Sequence, residues 1–309
     1  MALPISLAAV VFSANYFVRG AVSIAHTLDL PEFVVGSVIV ALGTSAPEMA
    51  INISAALEGA GDIVISNIVG SNIVNVALGI GIAALIIPFD RARKEYTRTL
   101  FVGLLGTIAL LANTWIANYM PGVAHFSTSF GIALMLAFTF FMYSSIKAAT
   151  GDEDEEHEGD LSLPIAILVI VLGAASMAFF SDYAVQMAVQ MSHHLGIPEA
   201  VIGATVIAAG GSLPEVSSCI AAARLRRPNL ILGNIAGSQI FNILGILGLS
   251  GLIRPFDYST VLAVDVVILI AITLIVLGSI LYAPLRRFMG PILVLSYVAY
   301  ACYLIASSI

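Results

Sequence analysis

The nineteen residues from Leu30 to Glu48 recur as Ile197 to Glu215, and the offset, 215 − 48 = 167, persists without a gap well beyond them. Under it Tyr16 meets Tyr183, His26 meets His193, Pro31 meets Pro198 and Gly36 meets Gly203. Further on, Asn67 meets Asn234, Gly70 meets Gly237, Ser71 meets Ser238, Asn75 meets Asn242, and Pro88-Phe-Asp90 recurs as Pro255-Phe-Asp257. A repeat at fixed period constrains a fold more than any local propensity does. The chain is two copies of one unit.

Each unit is apolar. Of 309 residues 60% are hydrophobic and only 10% charged, with a mean hydropathy of +1.03; soluble domains carry roughly a quarter charged residues. A membrane crossing needs about 20 apolar residues. Ten stretches qualify: roughly 4–25, 33–57, 62–87, 97–117, 124–147, 162–192, 200–223, 229–253, 259–282 and 288–308. Five spans per copy is an odd number, so the second copy enters the membrane upside down. Inverted repeats of this kind mark secondary transporters, which hold their substrate near the bilayer midplane. The expected fold class is therefore an all-α integral membrane protein of ten transmembrane helices, built as two inverted five-helix repeats with helices 2, 3, 7 and 8 broken. The expected division is an N-terminal repeat over 1–150 (motif about 36–80), an acidic linker over 151–161, and a C-terminal repeat over 162–309 (motif about 203–247).

Basic residues set the orientation. Loops after odd-numbered spans hold Arg91, Arg93, Lys94, Arg98, Lys147, Arg224, Arg226, Arg227, Arg286 and Arg287, whereas loops after even-numbered spans hold Arg254 alone. The positive-inside bias places both termini outside and the acidic linker in the cytoplasm, in a multi-pass protein of the cell membrane. Seven of the nineteen acids lie between Asp152 and Asp160; a block of like charge reads as a solvated tether. No basic patch suits nucleic acid, and no Gly-rich phosphate loop precedes either lysine, which argues against an ATP-driven pump. Cys219 and Cys302 sit in apolar runs and read as small buried residues. His26, His125, His193 and His194 flank span ends and His157 lies in the tether, so no His-rich metal motif suggests an enzyme.

Within the spans, a few polar residues recur. Glu48 and Glu215 fall mid-span, where a carboxylate costs about 2.5–3.5 kcal/mol on insertion scales, and no Lys or Arg lies in either segment to pair with them. Pro47 lacks an amide hydrogen, so the Gly43 carbonyl loses its helical partner; Pro214 does the same to Gly210. Bare carbonyls at this depth are tolerated where they face a cavity or an ion. Thr44 and Ser45 precede Glu48 by four and three positions, which places their hydroxyls on its helix face. Ser212 repeats this before Glu215, with Gly211 in place of the threonine. Ser71 with Asn75, and Ser238 with Asn242, are spaced i, i+4 and project from one face. Carboxylate, hydroxyl and carbonyl oxygens together suit hard cations such as Ca²⁺ and Na⁺ rather than zinc or copper. Asn72 and Gln239 point elsewhere and read as glue between helices, while Asn67 and Asn234 fit either role. Asp182 and Asp265 read as helix caps or hydrated interfacial acids, and Met177, Met187 and Met191 as soft packing.

The duplicated motifs Gly43-Thr-Ser-Ala-Pro-Glu48 and Gly70-Ser-Asn-Ile-Val-Asn75 resemble the alpha repeats of the sodium/calcium exchanger family, prokaryotic type, within the cation/calcium antiporter superfamily. The resemblance covers essentially the whole chain. It implies one set of ion ligands from the Ala41 carbonyl, Thr44, Ser45, Glu48, Ser71 and Asn75. A second set comes from the Ala208 carbonyl, Ser212, Glu215, Ser238 and Asn242. It also implies that spans 4–25 and 162–192 slide across the other eight, and that a monomer in the lipid bilayer transports Ca²⁺ and Na⁺ without a cofactor. Two positions depart from the family pattern: Gly211 stands where many members carry threonine, and Asn242 where some prokaryotic and potassium-dependent members carry aspartate. The function expected is Na⁺/Ca²⁺ antiport by alternating access at a shared midplane site. The alternative is antiport of H⁺ for Ca²⁺ or another divalent cation on the same paired glutamates. A cation channel is the competitor of a different class, and saturable counterflow separates it from both.

Overall fold

A computed structural model describes residues 2–89, 94–117, 125–148, 160–196, 202, 208–259 and 262–308. The tether at 151–159, the repeat partners Asp90, Pro198 and Gly203, and the loop residues Arg91 and Arg93 lie outside the described residues. The chain runs as α1 (Ala2–Leu28), α2 (Glu32–Thr44), α3 (Ala46–Glu58), α4 (Gly61–Ile86), α5 (Lys94–Ala117) and α6 (Thr128–Ala148). It continues as α7 (Leu163–His194), α8 (Leu213–Arg224), α9 (Pro228–Ile253), α10 (Ala263–Leu281) and α11 (Met289–Ser308). A helical turn, Ala208–Gly210, leads into α8. Among the described residues eight helices are long and apolar enough to cross a membrane, or nine if the bent pair α2–α3 is one span. The molecule is a multi-pass, all-helical membrane protein.

Proline dictates where two helices break. At Ser45 (φ −87°, ψ 8°) the axis turns by 52° between α2 and α3. Pro47 then takes the second position of α3, where a missing N–H costs nothing because first-turn donors have no intrahelical acceptor. The second copy repeats this, with Ser212 at φ −92°, ψ 9° and Pro214 as the second residue of α8. The expected breaks in helices 3 and 8 are not found. Those helices, α4 and α9, run continuously, because no proline interrupts them after their first residue. Each instead widens into a π-helical stretch, Asn75–Ile80 in α4 and Phe241–Ile246 in α9. A π turn keeps the chain hydrogen-bonded while re-aiming its side chains.

The helices differ in what surrounds them. α4 and α9 are the most enclosed, whereas α6, α7 and α11 turn Phe140, Leu168, Val171 and Leu295 outward, as lipid-facing helices do. Cys302 is also exposed, on the outer flank of α11, and so departs from its reading as a buried residue; Cys219 is buried as expected. Met177 is buried but Met191 is exposed, so soft packing applies to only part of that series. α1 and α7 lie against each other along their length: Gly173 receives Phe17, and a Cβ at Gly20 would sit 3.0 Å from the Ala166 carbonyl oxygen. α2 crosses α9 backbone to backbone. A Cβ at Gly233 would come within 2.3 Å of the Phe33 carbonyl oxygen, and one at Gly237 within 2.3 Å of that of Ser37. Small residues are what let helices approach so closely in a membrane.

Two contacts tie connections together. Phe126 and Phe256 exchange backbone hydrogen bonds (2.9 and 3.1 Å), and their rings stack at 4.8 Å. Beside them the backbone N–H of His125 donates to Asp257, whose carboxylate also lies 2.9 Å from the ring Nδ1; these bonds hold the Asp257 carboxyl below its ordinary range. Elsewhere, buried Glu32 at the start of α2 accepts a hydrogen bond from Arg227 Nη1 (2.8 Å), just before α9.

Candidate cation site

The two breaks place both glutamates at the same station of their helices. Glu48 is the third residue of α3 and Glu215 the third of α8, and their exposures are 1% and 0%. First-turn backbone N–H groups and the helix dipole favour negative charge there. Ser45, from the first copy, donates to Glu215 Oε1 of the second at 3.1 Å and reaches Ser238 Oγ at 3.3 Å. Thr44 donates back to the Val40 carbonyl (3.1 Å) and lies 3.4 Å from Asn234 Oδ1; Asn234 in turn donates to Ser218 Oγ at 2.9 Å. The Asn52 amide donates to the Glu48 backbone carbonyl at 2.7 Å.

Around these bonds several other polar atoms have no partner among the described residues. Both carboxylate oxygens of Glu48, Oε2 of Glu215, Oγ of Ser212 and both carboxamide atoms of Asn75 and Asn242 are buried without a hydrogen bond. Buried polar groups are ordinarily paired. A concentration of bare oxygens at repeat-related positions is a donor set suited to a hard cation. Ser71 and Ser238 are buried beside it. The Ala41 carbonyl accepts from the Ser45 N–H (3.0 Å) and weakly from Thr44 Oγ1 (3.4 Å), and Ala208 opens the short turn before the second break.

Two residues fitting either role in the sequence now separate. Asn234 holds the Thr44–Ser218 network, while Asn67 keeps an unpartnered Nδ2. Asn72 and Gln239 bond away from the site, Asn72 to the Ile68 carbonyl of its own helix (2.8 Å) and Gln239 to Thr273 on α10 (3.2 Å). One expectation changes. Ser45 does not turn its hydroxyl to Glu48, because it stands at the break itself, outside the regular turns on either side, and donates across to Glu215. A sequence signal for that interruption was present: Ser45-Ala-Pro-Glu48 and Ser212-Leu-Pro-Glu215 have the Ser-x-x-Glu spacing that marks a helix start.

The copies are not equivalent. A cavity of about 580 Å³ reaches Pro47, Pro214, Asn67, Ser71 and Gly211. Among the described residues a Cβ at Gly211 or at Gly70 would meet nothing within 4 Å, although Gly237, the repeat partner of Gly70, is pressed against Ser37. Among the described residues, nothing occupies the place where a threonine side chain would begin at Gly211.

The model of the sodium/calcium exchanger protein family matches residues 2–147 and 165–306. The chain is 32% identical to the sodium/calcium exchanger MaX1 of Methanosarcina acetivorans, over 96% of each chain. It is 33% identical to the putative antiporter CaxA of Alkalimonas amylolytica, over 98% of this chain and 97% of that one. The fold is similar to the solved sodium-calcium exchanger NCX_Mj soaked with 2.5 mM Na⁺ and 1 mM Sr²⁺, at a TM-score of 0.81, with 27% identity over 96% of this chain and 95% of that one. Both segments matched by the family model carry the duplicated glutamate motif, and together they take in nearly the whole chain. The protein belongs to the sodium/calcium exchanger family and is an exchanger rather than an enzyme.

Proposed function

We propose that the chain is a secondary antiporter that exchanges Na⁺ for Ca²⁺ at one midplane pocket shared by its two halves. The observation that carries this reading is the hydrogen bond from Ser45 of one copy to Glu215 of the other, amid buried oxygens of Glu48, Glu215, Asn75 and Asn242 that have no protein partner. In this reading residues 1–150 and 162–309 are inverted five-span repeats, the cytoplasmic tether joins them, and both termini lie outside. Ca²⁺ is held by Glu48 and Glu215. Thr44, Ser45, Ser212, Ser71, Ser238, Asn75, Asn242 and the Ala41 and Ala208 carbonyls complete the sites for both ions. A monomer suffices.

The coupling follows from charge. Two carboxylates give the bare pocket a charge near −2, which one Ca²⁺, two Na⁺ or two protons neutralise. Carrying net charge through hydrocarbon is expensive, so the pocket changes sides only when filled, and ions that need the same oxygens must take turns. The close-packed pair α1 and α7 is the element that slides. Proton coupling on the same glutamates is a second reading, and Gly211 favours it, since the second copy offers sodium one hydroxyl fewer. Proteoliposomes loaded with ²²Na⁺ and given external ⁴⁵Ca²⁺ test the proposal. Saturable Ca²⁺ uptake coupled to Na⁺ exit is expected. Uptake that ignores Na⁺ but follows an imposed pH gradient means proton antiport, and unsaturable flux without counterflow means a channel.

A further inference from the structure

We propose that Asn234 is a further ligand of the transported cation, its carboxamide oxygen meeting the ion from the second copy beside the Thr44 hydroxyl of the first. Asn234 lies on α9, 2% exposed, where α2 and α8 both pack against that helix. A carboxamide carries two donor hydrogens and one acceptor oxygen, and its neighbours decide which end points where. Ser218 uses its single hydroxyl proton on the Glu215 backbone carbonyl, at 2.8 Å. It can therefore only accept from Asn234, whose Nδ2 lies 2.9 Å away and also donates to Cys219 Sγ at 3.6 Å. The nitrogen is committed to α8, which turns the oxygen towards Thr44.

At Thr44 the protons run out. Its hydroxyl has one, and three oxygens lie within reach: the Val40 carbonyl at 3.1 Å, the Ala41 carbonyl at 3.4 Å and Asn234 Oδ1 at 3.4 Å. The Val40 carbonyl is nearest and takes it. Thr44 Oγ1 and Asn234 Oδ1 are then neighbouring oxygens with no hydrogen between them. Two ligands 3.4 Å apart, each about 2.4 Å from an ion, subtend an angle of about 90° at it, as adjacent members of a coordination shell do. Amide carbonyl oxygens are ordinary ligands of hard cations. The second copy is built differently. Under the repeat Thr44 becomes Gly211 and Ser218 becomes Ile51. Asn67 thus has neither the hydroxyl beside its oxygen nor the acceptor that fixes its nitrogen, and among the described residues its Nδ2 has no partner. The shell gains a carboxamide from one side only.

This assignment rests on the pocket of Glu48 and Glu215 holding the cation, but not on which ion drives the exchange. Equilibrium binding of ⁴⁵Ca²⁺ to the purified full-length protein in detergent tests it. Asn234→Leu, close in size but without an oxygen, should raise the dissociation constant about threefold to tenfold. Asn234→Asp sets a carboxylate against the ion and should lower it, because affinity for Ca²⁺ rises with the number of charged ligands. An asparagine that only braces the helices gives no such gain, so Ca²⁺ binding unchanged or weakened by Asn234→Asp overturns the assignment. Should Asn234→Leu fail to fold, Asn234→Ser, too short to bring an oxygen to Thr44, carries the same expectation as leucine. Asn67→Leu should leave the constant within about twofold, and a loss equal to that of Asn234→Leu overturns the one-sided shell. Counterflow of ²²Na⁺ and ⁴⁵Ca²⁺ in the unaltered protein is read separately: its failure defeats the exchange reading and leaves the contrast between leucine and aspartate standing. A lack of saturable Ca²⁺ binding in the unaltered protein overturns both.

Discussion

Ser45 stands where a helix N-cap would, yet its hydroxyl goes across the molecule to Glu215. A cap of that kind is worth about 1 kcal/mol, whereas a hydrogen bond to a charged acceptor is worth about 1.5–3 kcal/mol. The residue serves the site before its own helix. Glu48→Gln and Glu215→Gln should each abolish ⁴⁵Ca²⁺ flux while the detergent-solubilised protein keeps its melting temperature and elution volume. Asn75→Ala should impair flux more than Asn72→Ala, since both carboxamide atoms of Asn75 are unpartnered whereas the Asn72 amide already donates to the Ile68 carbonyl of its own helix; the reverse order would mean the wrong face of α4 had been assigned to the pocket. Gly211→Thr restores a hydroxyl in open space and should lower the Na⁺ concentration for half-maximal Ca²⁺ efflux by about threefold to tenfold, the worth of one ordinary hydrogen bond. At this scale the repeat made the candidates for the pocket legible, because polar residues kept in hydrocarbon at matching positions need a common use. Their partners were not legible. Ser45 and Glu215 are 170 positions apart, and no local spacing encodes which hydroxyl meets which carboxylate.

Helix ends and crossings explain why the pocket has a definite shape. Proline set the interruptions at Ser45 and Ser212, and that much could be read from the chain. The continuity of α4 and α9 could not, because a π turn has no residue signature comparable to proline. The crossing of α2 over α9 depends on glycine at a level that substitution can expose. Gly237→Ala drives a methyl to within 2.3 Å of the Ser37 carbonyl oxygen, and overpacking of this sort costs about 1–3 kcal/mol or more. Its repeat partner Gly70 faces no described atom within 4 Å, so Gly70→Ala should be close to neutral. Thermal melts of the two variants in the same detergent check the contrast, and equal losses would contradict the asymmetry between the copies. The Phe126–Phe256 clasp carries a weaker, pH-linked element. Because the Asp257 carboxyl is held below its unfolded value of 3.8, its contribution is present above that pH and fades as pH falls through the lowered one.

For the molecule as a whole, ten basic loop residues against one lead to an expected topology with both termini outside, which labelling can check. Leu195 is exposed after α7, and Arg226 lies between α8 and α9. In a Cys302→Ser background, Leu195→Cys should react with an impermeant maleimide in intact cells. Arg226→Cys should react only after the membrane is opened; the opposite pattern would reverse the orientation. The multi-pass, all-helical character was legible from hydropathy; among the described residues eight helices, or nine with the bent pair, are long and apolar enough to cross, against the ten spans expected. The cavity was not legible, since no local spacing shows which helices of the two copies will line it. The bond from Ser45 to Glu215 also bears on how such a chain can change over generations. After a duplication, one copy is usually free to drift because the other still works. Here neither copy is a spare, for the hydroxyl of the first completes the acid of the second, and a loss such as the threonine at Gly211 alters a property of both. The duplicates are bound to be inherited, and selected, as one.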